Sequence, residues 1–231
     1  MEIVYDHNGL PLQVTYPSGH TLTYGYNRRS QRVSLADNNG FRVTYHYDEK
    51  YRLSEVRLGE SGDLVAQFEY GNNGYLIRKI LGNGAQSTYS YVPGTEQLFE
   101  LRNYLPNGTL TSTFSYTYDE KQRVTKISTD MGNWMYMYDA VGQLIGWVGP
   151  SGDITELRYD SRGNRIVEKR NEREMSYSVN NMNQYMAYNN SDSFDFDRAG
   201  NLRVKTSNGS SEHFTFNAEG KLVEVETPDK R

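Results

Sequence analysis

A pair of aromatic residues spaced two apart and followed at once by Asp or Asn recurs along the whole chain, and this constrains the fold more than any other feature. The copies are Tyr24-Gly25-Tyr26-Asn27, Tyr45-His46-Tyr47-Asp48, Phe68-Glu69-Tyr70-Gly71, Tyr89-Ser90-Tyr91-Val92, Tyr116-Thr117-Tyr118-Asp119, Tyr136-Met137-Tyr138-Asp139, Leu157-Arg158-Tyr159-Asp160, Phe194-Asp195-Phe196-Asp197 and Phe214-Thr215-Phe216-Asn217. Ile3-Val4-Tyr5-Asp6 and the variant Tyr177-Ser178-Val179-Asn180 bring the number to eleven, with steps of 21, 21, 23, 21, 27, 20, 21, 20, 17 and 20 residues. A period of this size means one supersecondary unit repeated end to end.

The unit reads as a hairpin. Residues at i and i+2 share one face of a strand. The Asp or Asn that follows can accept bonds from backbone N–H groups two or three residues on, and a Gly supplies the positive φ that closes the turn. Gly142, Gly163, Gly200 and Gly220 stand at that position, followed by short aliphatic runs such as Leu144-Ile145. Between units come further turn clusters, Pro17-Ser-Gly19, Asn38-Asn-Gly40, Glu60-Ser-Gly62 and Gly149-Pro-Ser-Gly152. With turn chemistry at both ends of every strand, the expected fold is all-β: an antiparallel hairpin meander of about 22 short strands, five to eight residues each, in a single array over residues 1–231. Strand should exceed about 45% of residues and helix stay below about 5%. Leu53 and Val56, Val124 and Ile127, and Leu144 and Trp147 are three apart where strict alternation would place them on opposite faces. A bulge in the second strand of each unit is the expected remedy.

Composition decides what packs this sheet. Leu, Ile, Val and Phe make up only 47 of the 231 residues, whereas Tyr alone contributes 20. The net charge of −4 is too small, and the aromatic content of 13% too high, for a disordered chain. The paired aromatics are therefore expected to be buried in ladders on one face, each cross-strand aromatic pair adding roughly 0.2–1 kcal/mol. Charge balance and the lack of a Lys/Arg run argue against a nucleic-acid partner. No apolar stretch reaches the length of a membrane span, and the N-terminal residues do not resemble a signal peptide.

Chemistry is sparse. With no Cys there is no thiol nucleophile, disulfide scaffold or Cys-based zinc site. The four His, at 7, 20, 46 and 213, show no metal-binding spacing. A row of turn Asp (6, 48, 119, 139, 160 and 197) offers carboxylates but no cleft to hold a pair about 5–10 Å apart, as glycoside hydrolysis needs. No catalytic, cofactor or metal residues are expected. Solvent-facing Tyr could instead stack on sugars or cage a choline-like cation, so a carbohydrate- or choline-binding repeat module is the alternative reading, although two Trp cannot serve eleven repeats. Sequons begin at Asn107, Asn189 and Asn208, about as many as chance provides.

The Tyr-x-Tyr-Asp-x-x-Gly unit with its Pro/Asn-Gly connecting turns resembles the YD or RHS repeat, the unit of bacterial Rhs and ABC-toxin shell proteins and of the extracellular region of animal teneurins. Tyr177-Ser-Val-Asn180-Asn-Met-Asn183-Gln184-Tyr185 is similar to a variant found late in such arrays, and the resemblance spans essentially the whole chain. It implies a ribbon of β-sheet spiralling into a hollow shell, with the repeat residues structural. It further implies a non-catalytic part of a larger extracellular or secreted protein, in which the shell meets a cell-surface partner or encloses a polypeptide cargo. The RHS-associated core, a toxin domain and EGF modules do not occur in the sequence, which reads as one section of a larger shell. Cut from it, the strands near Ile3–Tyr5 and Lys221–Val225 should expose edges that pair with other chains.

Overall fold

The computed structural model describes residues 1–59, 62–189 and 191–228. Glu60 and Ser61 of one expected turn, and Asn190 of one sequon, lie outside the described residues. More than half of the chain is strand and no helix occurs among the described residues. Strand lengths run from four to nine residues, a little wider than expected.

Contacts divide the chain into two compact units, residues 1–122 with 128–130, and residues 123–127 with 131–231. The first contains β1 (Glu2–Tyr5), β2 (Pro11–Thr15), β3 (Thr21–Tyr26), β4 (Arg32–Asp37), β5 (Arg42–Tyr47), β6 (Leu53–Leu58), β7 (Asp63–Tyr70), β8 (Leu76–Leu81), β9 (Gln86–Tyr91), β10 (Leu98–Tyr104) and β11 (Leu110–Tyr118). Each of these strands pairs antiparallel with the next. Residues of β12 (Val124–Thr129) fall in both units. The second unit continues with β13 (Gly132–Tyr138), β14 (Leu144–Val148), β15 (Ile154–Tyr159), β16 (Arg165–Arg170), β17 (Arg173–Val179), β18 (Tyr185–Tyr188), β19 (Asp192–Phe196), β20 (Leu202–Ser207), β21 (Ser210–Phe216) and β22 (Leu222–Glu226). From β13 to β22 every strand again pairs with its successor.

The spacing of three is resolved by a bulge in the second strand of the hairpin. Tyr45 faces Val56, His46 faces Glu55, and Tyr47 then faces Leu53, so Ser54 is the extra residue. Tyr136 faces Trp147 and Tyr138 faces Leu144 in the same way, with Ile145 extra. The inserted residue shifts the alternation by one, which returns the two aliphatic residues to the side of the two tyrosines.

These rows form a thin core. Tyr24 faces Leu35, which faces Val43, and Tyr45 faces Val56, which faces Ala66. Val43 and Ala66 are each 8% exposed and rank among the most buried apolar residues, while no large side chain among the described residues is fully buried. The paired tyrosines lie half-buried on the same side of their strands. Their partners across the hairpin differ from expectation: aliphatic side chains, with Trp147 an exception, take the place of a continuous aromatic ladder. Ring-on-ring contacts among the described residues are few, chiefly Tyr75 with Tyr91 and the cluster Tyr177, Tyr185, Tyr188 and Phe194. Between β1 and β2 the pairing runs Glu2 to Tyr5 against Thr15 to Pro11, and Leu222, Val223 and Val225 of β22 are exposed. No helix among the described residues is long and apolar enough to cross a membrane.

Candidate functional site

The turn that follows the aromatic pair is a five-residue loop closed from its first residue. Asp48 Oδ1 accepts from the backbone N–H groups of Lys50 and Arg52, both at 2.9 Å. Asp6, Asn27, Asp139, Asp160, Asn180, Asp197 and Asn217 do the same with the residues two and four further on. Asp119 accepts from Lys121 N–H. The second bond therefore reaches four residues, not three, because the loop contains one more residue than a simple β-turn. Its fourth position has positive φ: Gly142, Gly163, Gly200 and Gly220 occupy it, but so do Ser30, Tyr51, Gln122 and Asn183. The N–H donors hold several of these carboxyls below their ordinary range. For Asp48 the leading cause is the Arg52 N–H, and for Asp160 and Asp197 it is the side-chain amide of Asn164 and of Asn201.

The two tyrosines of a pair have different jobs. The second reaches across to the preceding hairpin and donates its hydroxyl to a backbone carbonyl: Tyr26 to Pro11, Tyr47 to Arg32, Tyr70 to Leu53, Tyr91 to Leu76, Tyr118 to Leu98, Tyr138 to Val124 and Tyr159 to Leu144, at 2.7–3.1 Å. Each carbonyl belongs to the first residue of its strand, beyond the point where the backbone ladder stops. The β6–β7 ladder, for example, begins at Glu55 with Gln67 and leaves Leu53 unpaired on that side. The hydroxyl fills the gap. Removal from water pushes the Tyr70, Tyr91, Tyr118 and Tyr159 hydroxyls above their ordinary pKa. Arginines add a second clamp between repeats, with Arg52 over the Tyr70 ring at 4.3 Å and Arg123 over Tyr138 at 4.5 Å.

The last repeats lack this lock, since Val179, Phe196 and Phe216 carry no hydroxyl. In the variant repeat Tyr185 substitutes by accepting from Arg165 N–H at 3.2 Å. Gln184 donates to the Gly200 carbonyl at 3.1 Å, and Asn164 donates to Asn183 at 3.0 Å, so neighbouring turns are joined through side chains. Tyr5 is exposed, and among the described hydrogen bonds its hydroxyl has no carbonyl partner.

At the opposite rim the polarity reverses. There an Asn or Asp from the following turn accepts from a strand N–H, that of the first residue for Thr21 and Ile154 and of the fourth for Thr113 and Ser176: Asn38 from Thr21, Asp130 from Thr113, Asn171 from Ile154 and Asn189 from Ser176. Sequence reasoning missed these caps because donor and acceptor are 13–17 residues apart. The available signal was an Asx residue in four of the inter-hairpin turns.

Two features stand apart from the repeat. Glu168, 3% exposed, is held by Arg165 and Arg170 and approached by the Tyr177 hydroxyl. A cleft of about 600 Å³ in the second unit gathers Trp134, Tyr136 and Trp147 with Asp153, Arg170 and Asn171. The four His remain dispersed; His20 packs on the Tyr16 ring. Among the described residues no group of three or more His, Asp or Glu is placed to hold a metal ion.

Comparison with known proteins places this geometry. The teneurin YD-shell profile matches residues 92–231, well over half of the chain, and the RHS repeat profile matches residues 5–42. No curated protein matches by sequence. Among solved structures, the chain is similar to the Photorhabdus luminescens Tc holotoxin pore with a mutated TccC3, at a TM-score of 0.67 and 16% identity over 92% of this chain and 13% of that one. It is also similar to TcdB2-TccC3, at 0.70 and 15% over 98% of this chain and 16% of that one. TcdB2-TccC3 without its hypervariable C-terminal region gives 0.70 and 16%, over 98% and 15%. The chain thus spans about a sixth or less of the proteins whose fold it shares. With the repeat, the hairpin meander and the profile in agreement, the chain belongs to the teneurin YD-shell family.

Proposed function

We propose that this chain is a non-catalytic wall section of a β-shell, its eleven repeats acting as one array over residues 1–231 within a larger secreted or extracellular protein. The observation that carries this reading is the use made of its functional groups. The hydroxyls that could read a ligand are spent on backbone carbonyls in seven repeats, and the turn carboxylates are spent on backbone N–H groups. Such a surface resists deformation and offers little chemistry, which suits a wall. The likeness to TcdB2-TccC3 supports enclosure of a polypeptide as the purpose of the wall, and the teneurin profile supports contact with a cell-surface protein; enclosure is the reading we adopt. A carbohydrate- or choline-binding module in every repeat fits less well, because in seven of the eleven repeats the second tyrosine is turned into the neighbouring hairpin.

The test uses the full-length protein in which this chain occurs. Limited proteolysis of the intact protein, with fragments identified by mass spectrometry, should leave a non-shell segment uncut until the shell is opened by denaturant. Digestion of every non-shell segment at the rate of an unfolded chain, with the sheet still intact, would reject enclosure.

A further inference from the structure

The cleft on the second unit is lined by both tryptophans of the chain. Its floor is a cross-strand row, Tyr136 facing Trp147, Trp147 facing Thr155, and Thr155 facing Arg170, so these four side chains share one face. Thr155 is only 5% exposed and Gly149 is buried, which makes a low floor between larger walls. Trp134, two residues from Tyr136 on the same face, lies over Gly149, where a Cβ would stand 3.4 Å from its Cζ3 atom. Trp134 is 37% exposed. Beside it Asp153 is held by the Ser151 hydroxyl and by Asn171 Nδ2 at 2.9 Å, while Asn171 Oδ1 accepts from Ile154 N–H at 2.9 Å. A carboxylate has about four acceptor sites, so Asp153 keeps capacity to spare. Arg170 spends Nε on Glu168, and its side chain is 66% exposed, so its remaining N–H groups are open to a ligand.

We propose that this cleft is a single saccharide-binding site for a neutral sugar of about two to three units, on the usual scale of ligand pockets. A flat indole matches the C–H face of a pyranose, and ring hydroxyls need acceptors and donors together, which Asp153 and Arg170 of the lining supply. The same pair argues against charged ligands: Arg170 repels a cation entering the aromatic walls, and Asp153 repels an anion. Only one such cleft is assembled from the two tryptophans of the chain, which distinguishes it from a sugar platform repeated along the array.

Those two tryptophans also make the test clean, since tryptophan emission, excited beyond the absorption band of the 20 tyrosines, reports this cleft alone. The 231-residue chain is titrated with the neutral sugars cellotriose, maltotriose and fully N-acetylated chitotriose, and with tetramethylammonium chloride as a cation probe. At least one trisaccharide should shift Trp emission saturably, and Trp134→Leu should weaken that binding about tenfold or more, the scale of one lost aromatic contact. Asp153→Ala, checked for unchanged circular dichroism, should weaken it as well and decides the matter if Trp134→Leu fails to fold. No response to any of the three sugars, a response that Asp153→Ala leaves intact, or a response to tetramethylammonium alone overturns the proposal.

Discussion

Replacing Tyr70 by Phe removes one oxygen and leaves the ring in its row, so it isolates the contribution of a hydroxyl lock. The lost bond is 2.7 Å long, partly buried, and satisfies the Leu53 carbonyl where the β6–β7 ladder has ended. A hydrogen bond of this kind contributes about 1 kcal/mol net, and leaving a buried carbonyl unpaired costs about 1–3 kcal/mol. Partial solvent access near the turn moves the expected loss to the low end, about 1–1.5 kcal/mol, or about 2–6 °C in melting temperature for a chain of this size. Tyr45→Phe is the control. Its ring lies in the same kind of row, but its hydroxyl makes no hydrogen bond among the described residues, so its effect should stay within about 0.5 kcal/mol. Repeat arrays can open in pieces. Amide hydrogen exchange across β5 to β8 is therefore measured together with thermal melting. Faster exchange concentrated at β6 and β7 in Tyr70→Phe, and none in Tyr45→Phe, is the expected result. Equal effects of the two variants would refute the division of labour within the pair. The converse substitution, Phe216→Tyr, places a hydroxyl opposite the Leu202 carbonyl in a repeat that lacks the lock and should raise stability by about 1 kcal/mol.

Gln122 holds a left-handed conformation with φ of 65° where other repeats use Gly. Gln122→Gly should therefore stabilise the chain by about 1 kcal/mol in urea unfolding, the cost of that conformation to a side-chain-bearing residue. Glu168 is the buried member of its ion-pair cluster, while Arg165 and Arg170 are 36% and 66% exposed at their side chains. Replacing both arginines by Met should cost roughly 3 kcal/mol in the same assay, because it strands a buried charge, whereas Glu168→Met should cost about 1 kcal/mol or less. Acid should weaken the fold through its turns. Asp48, Asp160 and Asp197 have folded-state pKa values below their ordinary 3.8, so the unfolded chain takes up protons first as pH falls. Their contribution is complete above that value and is lost as pH drops through the folded values; changing all three to Asn, as Asn27 and Asn180 already stand elsewhere, should flatten the acid limb of a pH–melting curve.

The hairpins, their Asx-closed turns and the bulge could be read from the residues alone because each is decided within one repeat. Tyr47 and Asp48 share their hairpin with Leu53 and Val56, so the spacing of two on one strand against three on the other already requires an extra residue between them. What joins one hairpin to the next was hidden. The aromatic pair looks like two equivalent core residues in sequence, yet Tyr47 locks the Arg32 carbonyl while Tyr45 merely covers Val56, because the gap between adjacent hairpins opens only at the turn end of the sheet. Asn38, Asn171 and Asn189 are ordinary turn residues until the preceding strand is laid beside them. Likewise, Trp134 and Trp147 become neighbours of Asp153 and Arg170, and Glu168 becomes buried between two arginines, only through a cross-strand register whose partners lie on separate hairpins. Local backbone chemistry sets the repeat; the registry between repeats decides which of its polar groups are consumed and which are left to meet another molecule.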